Sequence, residues 1–99
     1  MNLAAHISGP KSPAGVPCLL LDLGMGGAKV RCADPFPEGD LVELTLSAPS
    51  LWEPLEIPVR VAWVRDEFEE SFVMGLHFQP QTGIQLLVLA ELLRDHDRY

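Results

Sequence analysis

The stretch before residue 31 contains no arginine, and Lys11 is the only basic residue ahead of Lys29. Over the whole 99-residue chain seven Lys and Arg stand against fourteen Asp and Glu, a formal net charge of -7. Such a surface repels nucleic acid and anionic lipid headgroups and lacks the basic stripe of a nucleic-acid binder. It disfavours a dianionic nucleotide too, unless a local cluster of cations overrides the average, and a basic protein surface is the more natural partner. Long apolar runs are also missing. The longest, residues 84–93, is interrupted by Gln85 and Glu91 and falls short of the roughly 18–20 residues of a membrane span. The opening Met-Asn-Leu-Ala-Ala-His-Ile has neither the basic start nor the apolar length of a signal peptide. No nucleic-acid partner and no membrane insertion are expected, and a soluble cytoplasmic domain is. Cysteine is scarce: Cys18 and Cys32 make neither a metal-ligand spacing nor a disulfide framework, and read as reduced, partly buried thiols. His6, His77 and His96 belong to no His-x-x-x-His or Cys-x-x-Cys set, so no metal site is expected. Nor is there a Ser/His/Asp or Cys/His arrangement of recognisable spacing, or a carboxylate pair on an identifiable cleft. The chain is read as a non-enzyme with no catalytic residue.

What is present is a strongly apolar small domain. An apolar fraction of 47% argues against disorder, and the length suits one domain over residues 1–99 with its core at about 17–93. Period-two alternation, the mark of strands wrapped on one core, runs through Val42, Leu44 and Leu46, and through Ile57, Val59, Val61 and Trp63. It recurs in Phe72, Met74, Leu76 and Phe78 and in Ala28, Val30 and Cys32. A further strand is placed at residues 19–21. Gly24, Gly26 and Gly27 follow it and permit positive φ; Pro35, Pro37 and Gly39 break the chain before Leu41, and residues 48–54 and 66–70 connect the later strands. Pro58 places its strand at an edge or a bulge, and Trp63 falls on the inward register. The period then changes. Thr82 and Gln85 form a capping box, followed by a helix so apolar around its circumference that it cannot expose much surface. It is expected to close one end of the barrel, with any leftover apolar face available to another chain, for example in a homodimer. The fold class is mainly β: a small six-stranded antiparallel barrel with a C-terminal α-helix.

One turn carries the chemistry. Asp22-x-Gly24-x-x-Gly27 ends the strand at residues 19–21 and leads into Ala28-Lys-Val-Arg-Cys32; then come Pro37-Glu-Gly-Asp40, Leu-Val-Glu-Leu-Thr-Leu, Val-Arg-Val-Ala-Trp-Val-Arg65, Met74-Gly-Leu-His-Phe78 and a Leu-rich helix. In this order, over about residues 17–93, these segments resemble the PilZ domain family of bacterial signalling proteins. In that family an Arg-x-x-x-Arg segment and an Asp/Asn-x-Ser-x-x-Gly turn together hold cyclic di-GMP. Arginine suits that task because its planar, permanent cation pairs bidentately with phosphate and stacks on a base. Here Gly24 stands in place of the serine, and no paired arginines precede the turn. Each lost charge-assisted hydrogen bond costs about 1.5–3 kcal/mol, enough in combination to remove micromolar affinity. The resemblance therefore implies an adaptor with a degenerate ligand site and no cofactor, working through protein–protein interaction in motility, pilus or polarity regulation. The alternative it leaves open is a divergent receptor, with weak or partner-assisted binding of cyclic di-GMP through Asp22, Gly24, Gly27, Lys29 and Arg31.

The remaining candidates have two readings each. Asp22 either binds guanine or caps the turn through its own backbone. Lys29, Arg31 and Arg60 either offer charge beside the turn or are solvated strand residues. The three glycines do not make a P-loop, because they lead into a strand and no Gly-Lys-Ser/Thr follows. Trp52, with Leu51, is either an exposed partner anchor or packing at the barrel rim. Phe68 sits in the acidic run 66–70, which is a solvated hairpin or a contact for a basic partner.

Overall fold

The computed structural model describes residues 3–10, 12–49, 51–67, 71–79 and 82–96, of which residues 95 and 96 in backbone only. Among the described residues the strands are β1 (Ala4–Gly9), β2 (Ser12–Leu23), β3 (Gly27–Cys32), β4 (Leu41–Ser47), β5 (Leu55–Asp66) and β6 (Phe72–Phe78), followed by helix α1 (Gly83–His96). The strands close into a barrel in the order β1-β2-β3-β6-β5-β4, every pair antiparallel. Closure removes unpaired edges, which lets such short strands stand alone. Alternation sends Val42, Leu44, Leu46, Ile57, Val59, Val61, Val30 and Met74 into one core. The strand that periodicity had not located is β1, which contributes Ala5 and Ile7 to the same core. Phe36, between β3 and β4, is also buried, and its N–H donates to Met74 Sδ at 3.4 Å.

Three register shifts interrupt the ladders among the described residues: one where β1 meets β2, between Ile7 and Gly9, and one each in β5 and β2 beside the motif turn. In β5, Val61 lies opposite Leu76 but Trp63 lies opposite Gly75, so Ala62 is an extra residue. The extra residue switches the register of everything beyond it. Val64 therefore takes the inward position and packs on the core, and Trp63 goes to the outer face, half-buried. The expectation that Trp63 belongs to the core is thus corrected. In β2, Leu20 lies opposite Val30 and Asp22 opposite Lys29, leaving Leu21 as the extra residue. Asp22 is turned outward by this bulge; unbroken alternation from Leu20 would have aimed it into the core. Pro58 is at neither bulge nor edge strand. It pairs with Glu43 on β4, and its carbonyl accepts the Gln79 N–H at 2.7 Å just past the end of β6.

The capping box forms as expected: Gln85 N–H donates to Thr82 Oγ1 at 3.3 Å and Thr82 N–H to Gln85 Oε1 at 3.2 Å. Gln85 Nε2 also donates to the Glu56 carbonyl at 2.8 Å, tying the helix start to β5. Leu89 and Leu92 enter the barrel core, with Val88 and Leu93 packed beside them. The helix nonetheless exposes more apolar surface than expected, with Ile84 at 72% and Leu87 at 68% exposure. One helix lying on the barrel buries one stripe, and its remaining apolar residues face outward. Among the described residues no helix is long and apolar enough to cross a membrane.

Candidate functional site

The β2–β3 hairpin turns at Gly24, whose N–H donates to the Gly27 carbonyl at 2.9 Å. Asp22 is still in β2, and its Oδ1 accepts the N–H of the next residue, Leu23, at 3.0 Å. That contact is local to the strand, so the turn closes without an Asp22 cap. The turn glycines are not in the left-handed region either: among the described residues positive φ occurs at Gly15 and Gly39. Gly27 has a different reason to be glycine. A Cβ there would fall on the carbonyl oxygen of Leu76, so β6 runs against β3 at this point with no room for a side chain. At Gly24, by contrast, the nearest atom to an added Cβ is the Gly27 oxygen, 3.9 Å away.

Strand register extends this corner across the barrel wall. Asp22 pairs with Lys29, Lys29 with Gly75 and Gly75 with Trp63, forming one outward row over β2, β3, β6 and β5. Gly75 lacks a side chain because the Trp63 indole lies over it; a Cβ would collide with Trp63 Nε1. The flanking rows are Leu19, Arg31, Val73 and Arg65 on one side and Gly27, His77 and Arg60 on the other. Val73 is buried yet outside the barrel core, between two exposed arginines. Arg65 places its guanidinium 5.1 Å from the centre of the Trp63 ring, a cation–π contact. Arg60 Nη1 reaches the Gly39 carbonyl at 3.4 Å. Lys29, Arg31, Arg60 and Arg65 thus gather four of the chain's seven Lys and Arg on the outside of three adjacent strands. A chain of net charge -7 carries a basic face.

Asp22, Gly27 and Lys29 line a shallow, open depression of about 380 Å³ on this face, with Trp63, Gly75 and His77. Gly24 and Arg31 lie beside it rather than in its lining. The partner candidates are elsewhere. Trp52 is fully exposed, at 101%, and with Leu51 it lines a second cleft of about 430 Å³ between the β4–β5 connection and α1. Ile84 and Val88 form its helical wall, and Glu53, Glu56 and Glu91 stand around it. Phe68 and residues 69–70 lie outside the described residues. Trp63, Gly75, His77 and Arg65 were not anticipated from sequence. Their one visible signal was Gly75, an isolated glycine inside a strand, which marks a bulge or a close approach. Among the described residues no group of His, Cys, Asp and Glu is placed to hold a metal ion.

The PilZ domain model matches residues 1–95 of this chain, in which the barrel, the Asp22–Gly27 corner and the terminal helix follow one another. The chain belongs to the PilZ domain family. PilZ domains are regulatory and adaptor domains, generally not enzymes. Among solved structures, the chain is similar to the Bacillus subtilis inhibitor of motility MotI/DgrA, with a TM-score of 0.68 and 21% identity over 95% of this chain. It spans about half of that protein, 46% of its length. It is also similar to the PilZ domain of CeSA from a cellulose-synthesizing bacterium, with a TM-score of 0.69 and 16% identity over 99% of this chain and 95% of that one. At such identities the likeness concerns the fold, and function has to be argued from the site. No curated protein matches by sequence.

Proposed function

We propose that this PilZ domain is a cytoplasmic adaptor in bacterial motility, pilus or polarity control, that it acts by contact with a protein partner, and that the chain alone holds cyclic di-GMP weakly or not at all. The observation that carries the reading is the cleft under Trp52. A fully exposed tryptophan beside exposed Ile84 and half-buried Val88 is an apolar anchor of the kind that dominates interface energies. Its charged neighbours Glu53, Glu56 and Glu91 are all acidic, so the occupant that fits is a segment with an apolar face and basic flanks, supplied by another protein. The turn supports the second half of the proposal. Gly24 offers no hydroxyl, and no arginine precedes Arg31 in this chain. The likeness to the Bacillus subtilis inhibitor of motility MotI/DgrA supports the biological setting.

The tests are a calorimetric titration with cyclic di-GMP and a fluorescence titration of the cleft. No isotherm at micromolar nucleotide is expected. In a Trp63→Phe background the emission of Trp52 reports the cleft, and a synthetic amphipathic helix with leucine and lysine faces is the probe. A saturable blue shift, lost on combined Glu53→Lys and Glu56→Lys, is expected. An unchanged spectrum would refute the docking site, and sedimentation showing a dimer that buries Trp52 would assign the cleft to a second copy instead.

The basic face favours a second reading, direct capture of cyclic di-GMP. Lys29 and Trp63 line an open depression beside the motif turn, and Arg31 and Arg65 stand in the neighbouring row, Arg65 against the Trp63 ring. The same calorimetry separates the two. A micromolar isotherm that weakens with salt and is lost on Asp22→Ala or Arg31→Ala would establish the receptor.

A further inference from the structure

β2 and β3 bring the chain's two cysteines into contact. Continuing the register in which Leu19 faces Arg31 and Leu20 faces Val30 sets Cys18 opposite Cys32. Their sulfurs lie 2.7 Å apart, and both are free thiols. Cys32 is buried in the core, whereas Cys18 is half-buried. Opposed residues of antiparallel strands have Cα atoms about 4.5–5.5 Å apart, within the roughly 4.4–6.8 Å that a disulfide spans. A bond between these sulfurs therefore asks for little backbone movement. We propose that Cys18 and Cys32 are a redox-active pair, a site at which a hydroperoxide closes a disulfide within the barrel wall.

The electrons and protons balance with peroxide as the oxidant. One thiol of the pair donates to the other sulfur; this contact holds the Cys32 thiol below its usual value, while the same contact and then burial hold the Cys18 thiol up. Ionisation therefore starts at Cys32. Passage of the shared proton from Cys18 to Cys32 then puts the charge on the sulfur of Cys18, the residue with more surface of the two. Cys18 sulfur attacks one peroxide oxygen, the O–O bond breaks, and the departing hydroxide takes the proton back from Cys32 to leave as water. The Cys32 thiolate attacks the Cys18 sulfenic sulfur, the S–O bond breaks, and the second hydroxide takes a solvent proton. Two thiols are oxidised to one disulfide, and one peroxide is reduced to two waters. The bridge closes the loop that contains the whole Asp22–Gly27 corner, so oxidation staples the hairpin beside the depression.

The test exposes reduced protein to hydrogen peroxide, then denatures it, alkylates free thiols and measures mass and melting. The expected product is a monomer that takes no alkyl group, weighs less by a pair of hydrogens, yields a peptide linking Cys18 to Cys32, and reverts with dithiothreitol. Its Tm is expected to rise by about 12–24 °C. In Cys18→Ser the same dose should leave Cys32 alkylatable and the Tm unmoved, and Cys32→Ser should leave Cys18 as a sulfenic or sulfinic acid. Full alkylation of both thiols after peroxide, oxidation confined to Cys18 in the unmodified protein, or a disulfide between chains would each overturn the assignment.

Discussion

Alanine at Gly27 tests whether the motif glycine belongs to the fold or to a ligand. The added Cβ meets the Leu76 carbonyl oxygen and stands 3.2 Å from the Leu76 carbonyl carbon and 3.5 Å from the His77 Cα. These are backbone atoms of β6, held by pairs that run from Gly27 with His77 to Cys32 with Phe72. Relief therefore requires the two strands to separate at one end of their ladder, unlike a clash with a flexible side chain. Overpacking of this kind costs about 1–3 kcal/mol, and the rigidity of backbone points to the upper half of that range. For a domain of this size each 1 kcal/mol moves Tm by about 4–8 °C, so Gly27→Ala should melt about 10–20 °C lower in ligand-free buffer. Gly24→Ala, three positions earlier in the same turn, is the control. Its Cβ meets nothing closer than the Gly27 oxygen at 3.9 Å, an ordinary contact, and its φ is not left-handed, so restriction of the unfolded chain leaves it neutral or stabilised by about 0.4–1 kcal/mol. Thermal melts by circular dichroism, with urea titration to check that the slope m is unchanged, read both variants. Equal melting of Gly27→Ala and the parent, or a larger loss at Gly24 than at Gly27, would refute the close-approach argument.

Trp52→Ala should change stability by no more than about 0.5 kcal/mol, since the side chain is fully exposed, yet weaken partner binding by about 30-fold or more if it is the anchor. Leu89→Ala should destabilise by about 2–5 kcal/mol because Leu89 is fully buried, whereas Leu87→Ala, on the exposed helix face, should fall within about 0.5 kcal/mol of the parent in the same denaturant series. Gly24→Ser restores the motif hydroxyl without a clash, but one neutral hydrogen bond is worth about 1 kcal/mol, a factor of about five, so calorimetry should still show no tight cyclic di-GMP site. The Glu43 carboxyl is pushed above its usual value, first by burial and then by Glu56. Its ionised form therefore weakens the folded state: the penalty is absent below the unfolded pKa, grows as pH rises through the folded one and is full at neutral pH. Glu43→Gln should accordingly raise Tm slightly near neutral pH and leave it unchanged at about pH 3.

The bulges in β5 and β2 mark the limit of what periodicity predicts. Alternation is a statement about nearest neighbours in sequence, so Val42, Leu44, Leu46, Ile57, Val59 and Val61 were legible as inward-facing. A bulge adds one residue to one strand for the sake of the strand beside it, and nothing in Val61-Ala62-Trp63 or Leu20-Leu21-Asp22 marks the addition. Periodicity alone places Trp63 in the core for that reason. The helix cap was legible because Thr82 and Gln85 act on each other three residues apart. The helix's exposed face was not, because apolar content says nothing about which side the barrel covers.

By itself the sequence determined a small apolar β domain, its capped terminal helix, its acidic balance and the missing arginines and serine of the motif turn, all properties of residues near one another along the chain. Tertiary structure alone decided what closing the barrel places side by side. It set Cys18 against Cys32 from opposite sides of a hairpin, and aligned Asp22, Lys29, Gly75 and Trp63 in one row by way of two bulges. It also concentrated four cations on one face of an acidic protein. Strand order and register are long-range quantities, set by the packing of a closed core, and such contacts have no signature in local sequence.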